Sequence, residues 1–277
     1  MTNDFFIIFY WWLLLFGLGV IFLPLTRLLF PKFFDFGYPF AKILGIAALS
    51  YLVWVLGSIG IPFTLPAILL VIFFLIAFNY FLCQKDKINL LQTIKQNYKT
   101  FVFEEIIFFF CLLTWSFIRG FQPNIQGLEK FMDFGFINSI LKSSTFPPAD
   151  MWQAGKTINY YYFGHLVAAV LTKLSNLDSA ITYNLMIATI FALAFTATFS
   201  LGLNLVQPFS KIKSMLTAFL AASLLTLGGN LQPAYFFLTH HFNFTGYWYP
   251  DATRFIGYFP ATNDKTIHEF PLYSFVV

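Results

Sequence analysis

Hydrophobic residues along this chain occur in long, nearly uninterrupted runs. The runs cover residues 5–23, 39–55, 61–83, 101–118, 161–174, 179–206 and 215–231. Crossing the hydrocarbon core of a membrane takes about 20 apolar residues in an α-helix, and in lipid a helix satisfies every backbone N–H and C=O group within one segment. The pattern therefore predicts an all-α, polytopic transmembrane bundle of about seven spans, with residues 161–174 short for a span.

Composition supports the same class of protein. The chain has 277 residues, of which 58% are hydrophobic and 10% charged, and its mean hydropathy is +0.73. Soluble domains carry about 25% charged residues, so this chain has too little polar surface for a water-soluble globule. The net charge is only +4 and the basic residues are scattered, which argues against nucleic acid as a partner. We predict a multi-pass protein of the cell membrane, with membrane lipid as its first partner.

Lysine and arginine in short loops indicate the orientation, since they favour the cytoplasmic side. Residues 84–100 combine four lysines with apolar residues at helical spacing, which predicts an amphipathic helix on the cytoplasmic face. Arg27 and Lys32 lie two spans earlier and give the same side. The loop after residue 118 is then outside. Lys211 and Lys213 conflict with this arrangement unless residues 161–174 fail to cross or these two lysines are exceptions.

The organisation follows from these runs. Residues 1–100 form an N-terminal group of helices with a basic cytoplasmic loop, and residues 101–277 form a second region. Two polar and aromatic stretches, 119–159 and 232–274, are predicted as outer loops. The first is much longer than a usual connector and rich in aromatic residues, so we expect short interfacial helices in it.

Two carboxylates in the first outer loop are candidates for chemistry. Glu129 and Asp133 are four residues apart and share one face if the segment is helical. Carboxylates held together at a membrane surface can bind a divalent cation or act as a general base. The alternative is an ordinary solvated helix face beside Lys130. Glu104 and Glu105 open an apolar run. Carboxylates at a helix N-terminus interact favourably with the helix dipole, so a structural role is enough to explain these two residues.

The segment FPPADMWQAG, residues 146–155, contains a Pro-Pro pair that shapes the loop. Asp150 within it is a candidate cap or ligand.

The next segment, NYYYFGH, places three consecutive tyrosines at the start of an apolar run. A belt of interfacial aromatics explains any one of them, but consecutive helical residues point in different directions, so at least one faces protein or a cavity. His165, one turn further, is either functional or a core histidine bonded to a carbonyl.

The stretch GLEKFMDFGFINSILKSSTFPPADMWQAGKTINYYYFGH resembles the YYY-domain family of polytopic membrane proteins, and RFIGYFPATNDKTIHEFPLYSF is similar to a second part of that family. The family layout is distantly similar to the GT-C class of membrane glycosyltransferases. In that class an acidic motif follows a spanning helix, and an aromatic entry into the next helix comes later. Residues 101–118, then Asp133 with Glu129, then the tyrosine triplet resemble this order. In the family an Asp-Leu-His segment follows, so we expect the natural protein to continue beyond Val277.

The resemblance implies transfer of a sugar from a polyprenyl-phosphate donor at the outer face, a reaction in which Asp133 is the base or holds a divalent cation such as Mg²⁺ or Mn²⁺, and Glu129 supports it. The other residues expected to contact substrate are Arg119, Asp150, Trp152, Lys156, Tyr160, Tyr161, Tyr162, His165, His268 and Glu269.

Two alternatives stay open. A transporter or lipid-handling protein predicts polar residues inside spans, for which Asn184, Asn204 and His165 are candidates, and a membrane scaffold subunit predicts a protein partner for the outer loop.

The predicted orientation can be tested by labelling. A cysteine introduced into residues 119–159 should react with a membrane-impermeant thiol reagent in intact cells, because the loop is outside. A matched cysteine in residues 84–100 should react only after the membrane is opened. The reverse pattern would place the long loop in the cytoplasm and remove the proposed outer chemistry.

Overall fold

The computed structural model describes residues 2–126, 129–206, 211–228 and 232–241, together with two short strands. Within these residues the chain forms nine α-helices and one antiparallel pair of two-residue strands. The helices are α1 (Thr2–Leu29), α2 (Tyr38–Ser58), α3 (Leu65–Lys85), α4 (Leu90–Gly120), α5 (Lys130–Lys142), α6 (Phe163–Ser175), α7 (Ser179–Leu205), α8 (Lys211–Leu227) and α9 (Gln232–Thr239). The strands are β1 (Ile256–Gly257) and β2 (His268–Glu269), paired with Ile256 opposite Glu269.

Five helices of the described chain are long and apolar enough to cross a membrane: α1, α2, α3, α4 and α7. The predicted class, a polytopic helical membrane protein, is therefore confirmed. Two of the seven predicted spans are shorter helices. The run 161–174 becomes α6, with 13 residues, and the run 215–231 becomes α8, with 17 residues. At a rise of about 1.5 Å per residue, α6 is about 20 Å long and falls short of a hydrocarbon core of about 30 Å.

The predicted surface helix, from Leu90 onward, and the predicted span over 101–118 form one helix, α4, of 31 residues. Its N-cap is Asn89, whose side chain accepts a hydrogen bond from the backbone N–H of Gln92 at 3.0 Å. No proline or internal glycine interrupts the helix, so it continues into the apolar run. Glu104 and Glu105 consequently lie in the middle of α4 and not at its start, and the helix-dipole interpretation of these two residues is wrong.

Residues 2–222 belong to one compact unit, in which α1 packs along α2, α4 along α7, and α5 against α6. Its core contains fully buried side chains from each of these layers, among them Trp11, Leu49, Leu112, Ile140 and Leu166. Many of the remaining apolar side chains on the spans are exposed, as expected of surfaces that face lipid. Residues 223–277 form a second unit, which contains α9 and the two strands.

A buried ion pair joins three of the spans. Lys42 of α2 lies 2.5 Å from Oε2 of Glu105 in α4, and both side chains are nearly inaccessible. The same carboxylate accepts hydrogen bonds from the Trp12 indole N–H of α1 and from the Tyr38 hydroxyl, each at 2.6 Å. A buried charge is tolerated only with full pairing, and here four polar groups satisfy one another. In the sequence Lys42 is a single lysine inside an apolar run, and nothing there marks it as the partner of Glu105.

The connection between α5 and α6 is attached to the end of α2 and the start of α3. The backbone N–H of Phe146 donates to the carbonyl of Gly57 at 3.1 Å, and the N–H of Phe63 donates to the carbonyl of Ser144 at 2.7 Å. The rings of Phe63 and Phe146 pack with centroids 5.3 Å apart. Lys173 of α6 donates to the carbonyl of Phe63 at 2.6 Å. These contacts hold α5, α6 and their connection over the ends of the spans.

Gly57 is the tightest point of this attachment, and substitution tests it. A Cβ at this position would overlap the ring of Phe146, so Gly57→Ala should lower the free energy of unfolding by about 1–3 kcal/mol. Gly17 of α1 has open space around it, so Gly17→Ala should be neutral or stabilise by up to about 1 kcal/mol. Thermal unfolding in detergent micelles measures both, and equal effects would show that the Phe146 contact does not hold the loop.

Candidate functional site

The first turns of α5 and α6 bring an acid and a histidine together. Nε2 of His165 lies 3.1 Å from Oδ1 of Asp133, and we call these two residues the acid–histidine pair. The backbone N–H of Asp133 donates to the carbonyl of Glu129 at 3.0 Å, which places Asp133 in the opening turn of α5. A carboxylate is favoured near a helix N-terminus, and here the starts of two helices lie close to it.

The acid–histidine pair is partly accessible. The His165 side chain is 14% exposed and that of Asp133 is 34% exposed. Nδ1 of His165 is buried and has no hydrogen-bond partner. With its proton on Nε2 the ring donates to Oδ1 of Asp133, and no hydrogen bond among the described residues uses Oδ2. The ring of His165 is thus bonded to a carboxylate and not to a backbone carbonyl.

Three aromatic side chains, those of Phe136, Trp152 and Tyr160, lie beside this pair, and we call them the aromatic wall. The ring of Phe136 packs edge to face on His165 at 5.2 Å and on Trp152 at 5.6 Å, and it lies 6.2 Å from the ring of Tyr160. Trp152 and Tyr160 are both more than half exposed. Phe136 follows Asp133 by three residues, which places it on the same helix face, and this spacing is the signal in the sequence that marks it. The site thus combines one hydrogen-bonded carboxylate with accessible aromatic surface.

The tyrosine triplet precedes α6 and is not helical, and one of its members contacts the bundle. The hydroxyl of Tyr162 accepts a hydrogen bond from the indole N–H of Trp54 at 2.9 Å, which attaches it to α2. The rings of Tyr160 and Tyr161 lie 3.8 Å apart on the open side. All three line an aromatic cavity of about 370 Å³, which is completed by Tyr51, Trp54 and Phe163. Trp54 lies within a span, and nothing in the sequence marks it as a partner of the triplet.

Tyr161 reports the electrostatics of this region. Its hydrogen bond with Tyr160 is the main cause that raises the pKa of Tyr161 from 10.0 to about 12, and the negative charges of Glu129 and Asp133 raise this pKa further. Both carboxylates therefore lie near the same exposed phenol. Glu129 precedes the first residue of α5, is exposed, and makes no side-chain cap. The direct contact in this region is that between Asp133 and His165, and the charge of Glu129 is felt at Tyr161.

Arg119 is placed elsewhere. Its Nε and Nη2 donate to Oδ1 of Asn184 in α7 at 3.0 and 2.6 Å, and Nη1 donates to the carbonyl of Gln122 at 2.8 Å. Arg119 lines a separate cavity of about 320 Å³ that also includes Asp4 and Ser116. Its guanidinium therefore joins α4 to α7, and its hydrogen bonds are made to groups outside the acid–histidine pair.

Asp150 has a structural role in the loop. Its Oδ1 accepts hydrogen bonds from the backbone N–H groups of Trp152 at 2.8 Å and Gln153 at 3.0 Å, which forms an Asx turn. The turn presents the indole of Trp152 at the surface. Lys156 is exposed and lines a polar depression of about 780 Å³ with Lys142. Asp150 thus acts as the cap that the sequence left open, and Lys156 remains available to a ligand.

His268 and Glu269 form β2, and the structure describes their backbone pairing with β1 alone. Their side chains lie outside the described residues, so their predicted contact with substrate stays a prediction. The same holds for the divalent cation. Among the described residues, no group of three or more His, Cys, Asp or Glu side chains is arranged to hold a metal ion.

Comparison with known proteins gives a family. The profile of a family described as "Uncharacterized membrane protein (DUF2298)" matches residues 48–277. The match includes the acid–histidine pair, the aromatic wall and the tyrosine triplet. No curated protein and no solved structure matches the chain.

The environment of Tyr161 gives a titration test. Tyr160→Phe removes the hydrogen bond and should lower the pKa of Tyr161 from about 12 toward 10.0. Ultraviolet difference titration against a Tyr161→Phe reference isolates this phenol. Tyr51→Phe is the matched control, because Tyr51 lines the same cavity but does not supply that bond. An unchanged pKa in Tyr160→Phe would contradict the assigned contact.

Proposed function

Because the chain belongs to the DUF2298 family of uncharacterised membrane proteins, its chemistry has to be argued from its own residues, and we propose that it is a membrane glycosyltransferase. It takes a sugar from a polyprenyl-phosphate-linked donor at the outer membrane face. The observation that carries the proposal is the 3.1 Å contact between His165 and Asp133 in a partly open, aromatic setting. The similarity of the helix and loop order to the GT-C class points the same way.

In the proposed reaction, Asp133 is the general base. His165 holds Oδ1, and Oδ2 accepts the proton of an acceptor hydroxyl. The acceptor oxygen forms a bond to the anomeric carbon of the sugar as the bond from that carbon to the phosphate oxygen breaks. The polyprenyl phosphate leaves with the electron pair. Glu129, close to the same phenol as Asp133, supports the acidic site or shares a divalent cation with it.

The aromatic wall suits such a substrate. Ligand sites are mostly apolar and aromatic, with a few polar groups that fix orientation. Trp152, Tyr160 and Tyr161 supply accessible ring surface next to the carboxylate. A donor with a lipid anchor needs a site at the bilayer surface, where α5 and α6 lie at the ends of the spans. For the phosphate, Lys156 is the better candidate, since Arg119 is already bonded to Asn184.

A second candidate function is transport or lipid handling without bond chemistry. It is favoured by the charged pair Lys42 and Glu105 inside the bundle, because ionisable residues within spans often mark a path for ions or substrates. Full-length protein in proteoliposomes separates the two functions. Flux of a substrate that emerges unmodified supports transport, whereas a glycosylated product supports transfer.

The proposed base has a direct test. Asp133→Asn keeps the shape of the side chain but removes the proton acceptor, so sugar transfer from a polyprenyl-phosphate donor should fall by about 10²–10⁴-fold. Asp178→Asn is the matched control. Asp178 caps α7 through the N–H of Ala180 at 2.8 Å, and asparagine caps equally well, so activity should be retained.

Product formation is measured with radiolabelled donor. Loss of activity in Asp133→Asn with retained thermal stability supports the assignment. Unchanged transfer in Asp133→Asn, or an equal loss in both variants, removes Asp133 as the base.

A further inference from the structure

Two carboxyl groups meet inside the bundle, away from the acid–histidine pair. Asp35 lies in the connection between α1 and α2 and is fully buried, and Glu104 of α4 is 2% exposed. No N–H or O–H group of the other described residues reaches either carboxyl oxygen of Glu104. The group that Glu104 meets is the carboxyl of Asp35, and we call these two residues the buried carboxyl pair.

Asp35 is held by donors from two elements. Its Oδ1 accepts hydrogen bonds from the backbone N–H of Gly37 at 3.0 Å and from the amide of Asn204 in α7 at 3.4 Å. Its Oδ2 accepts a hydrogen bond from the hydroxyl of Ser200. These three donors satisfy the carboxyl oxygens of Asp35 and leave Glu104 as the member of the pair that lacks a donor.

The surrounding charges do not neutralise the pair. Lys42 of α2 is the neighbouring cation, and it is bonded to Glu105. The neighbours from α7 are the neutral Ser200 and Asn204. From α1, Arg27 lies over the ring of Phe36 at 5.0 Å. With Asp35, Glu104 and Glu105 all ionised, three negative charges would face one positive charge.

Two ionised carboxylates cannot remain in contact in a buried environment, and one proton shared between them removes the repulsion. A carboxylate also cannot donate a hydrogen bond, so the contact between Glu104 and Asp35 requires a proton. We propose that the buried carboxyl pair is a proton-binding site within the membrane domain. The proton is carried by Glu104, and the resulting O–H group donates a hydrogen bond to the carboxyl group of Asp35.

The bound proton has a structural consequence. Asp35 is tied to α7 through Ser200 and Asn204, while Glu104 belongs to α4. The protonated pair therefore closes the seam between α4, α7 and the connection of α1 to α2. Release of the proton leaves two adjacent negative charges and opens that seam. The site does not depend on the proposed glycosyl transfer.

The first experiment is infrared spectroscopy of the full chain in nanodiscs at neutral pH. A protonated carboxyl group gives a carbonyl band that an ionised one lacks. The band should be lost in Glu104→Gln and retained in Asp133→Asn, the matched control outside the bundle. A band that is unchanged in Glu104→Gln overturns the proposal.

The second experiment is thermal unfolding as a function of pH. The melting temperature of the native chain should fall as rising pH removes the shared proton. Glu104→Gln should lose this dependence, because the amide donates to Asp35 without titrating. Should Glu104→Gln fail to fold, Asp35→Asn offers the same test, since it removes the other carboxyl group of the pair. A pH dependence that persists in the folded variant, or a melting temperature that rises with sodium concentration at fixed pH, overturns proton binding.

Discussion

The lack of water in the hydrocarbon core is the constraint on which this structure depends. It requires each backbone group to bond within its own helix, and the five long helices satisfy that requirement. It also requires that each buried charge find its partners in the protein. Glu105 does so with Lys42, Tyr38 and Trp12, which belong to α2 and α1. The polar network therefore fixes how these spans pack, in addition to the apolar core around them.

The candidate site lies where this constraint ends. Beyond the spans, water can solvate a carboxylate, and Asp133 is one-third exposed while His165 is nearly buried. The site owes its geometry to the starts of two short helices that are held over the bundle by the contacts of Phe146 and Phe63. The acid–histidine pair is thus placed on helices and not on the loop itself, which supplies Trp152 and two exposed tyrosines as accessible surface.

The sequence predicted what depends on local pattern. The apolar runs identified the membrane class, and the length and aromatic content of the loop over residues 119–159 predicted short helices, of which α5 is one. Contacts between distant segments were less accessible. Arg119 was expected to contact substrate, and nothing in the sequence indicated its hydrogen bond to Asn184, which is 65 residues away. Glu104 and Glu105 were assigned to a helix end, because their partners Asp35 and Lys42 come from other segments and a sequence gives no side-chain pairing between segments.

The uninterrupted course of α4 sets the depth of the protein in the bilayer. Lys99 and Arg119 bracket its apolar part, and the 20 steps between them correspond to about 30 Å, close to the hydrocarbon thickness. With no kink to absorb a difference, a thicker membrane has to thin locally around α4, while a thinner one has to tilt it. Since α4 packs along α7, such a tilt would be imposed on both helices, and bilayer thickness becomes a mechanical variable for the whole bundle.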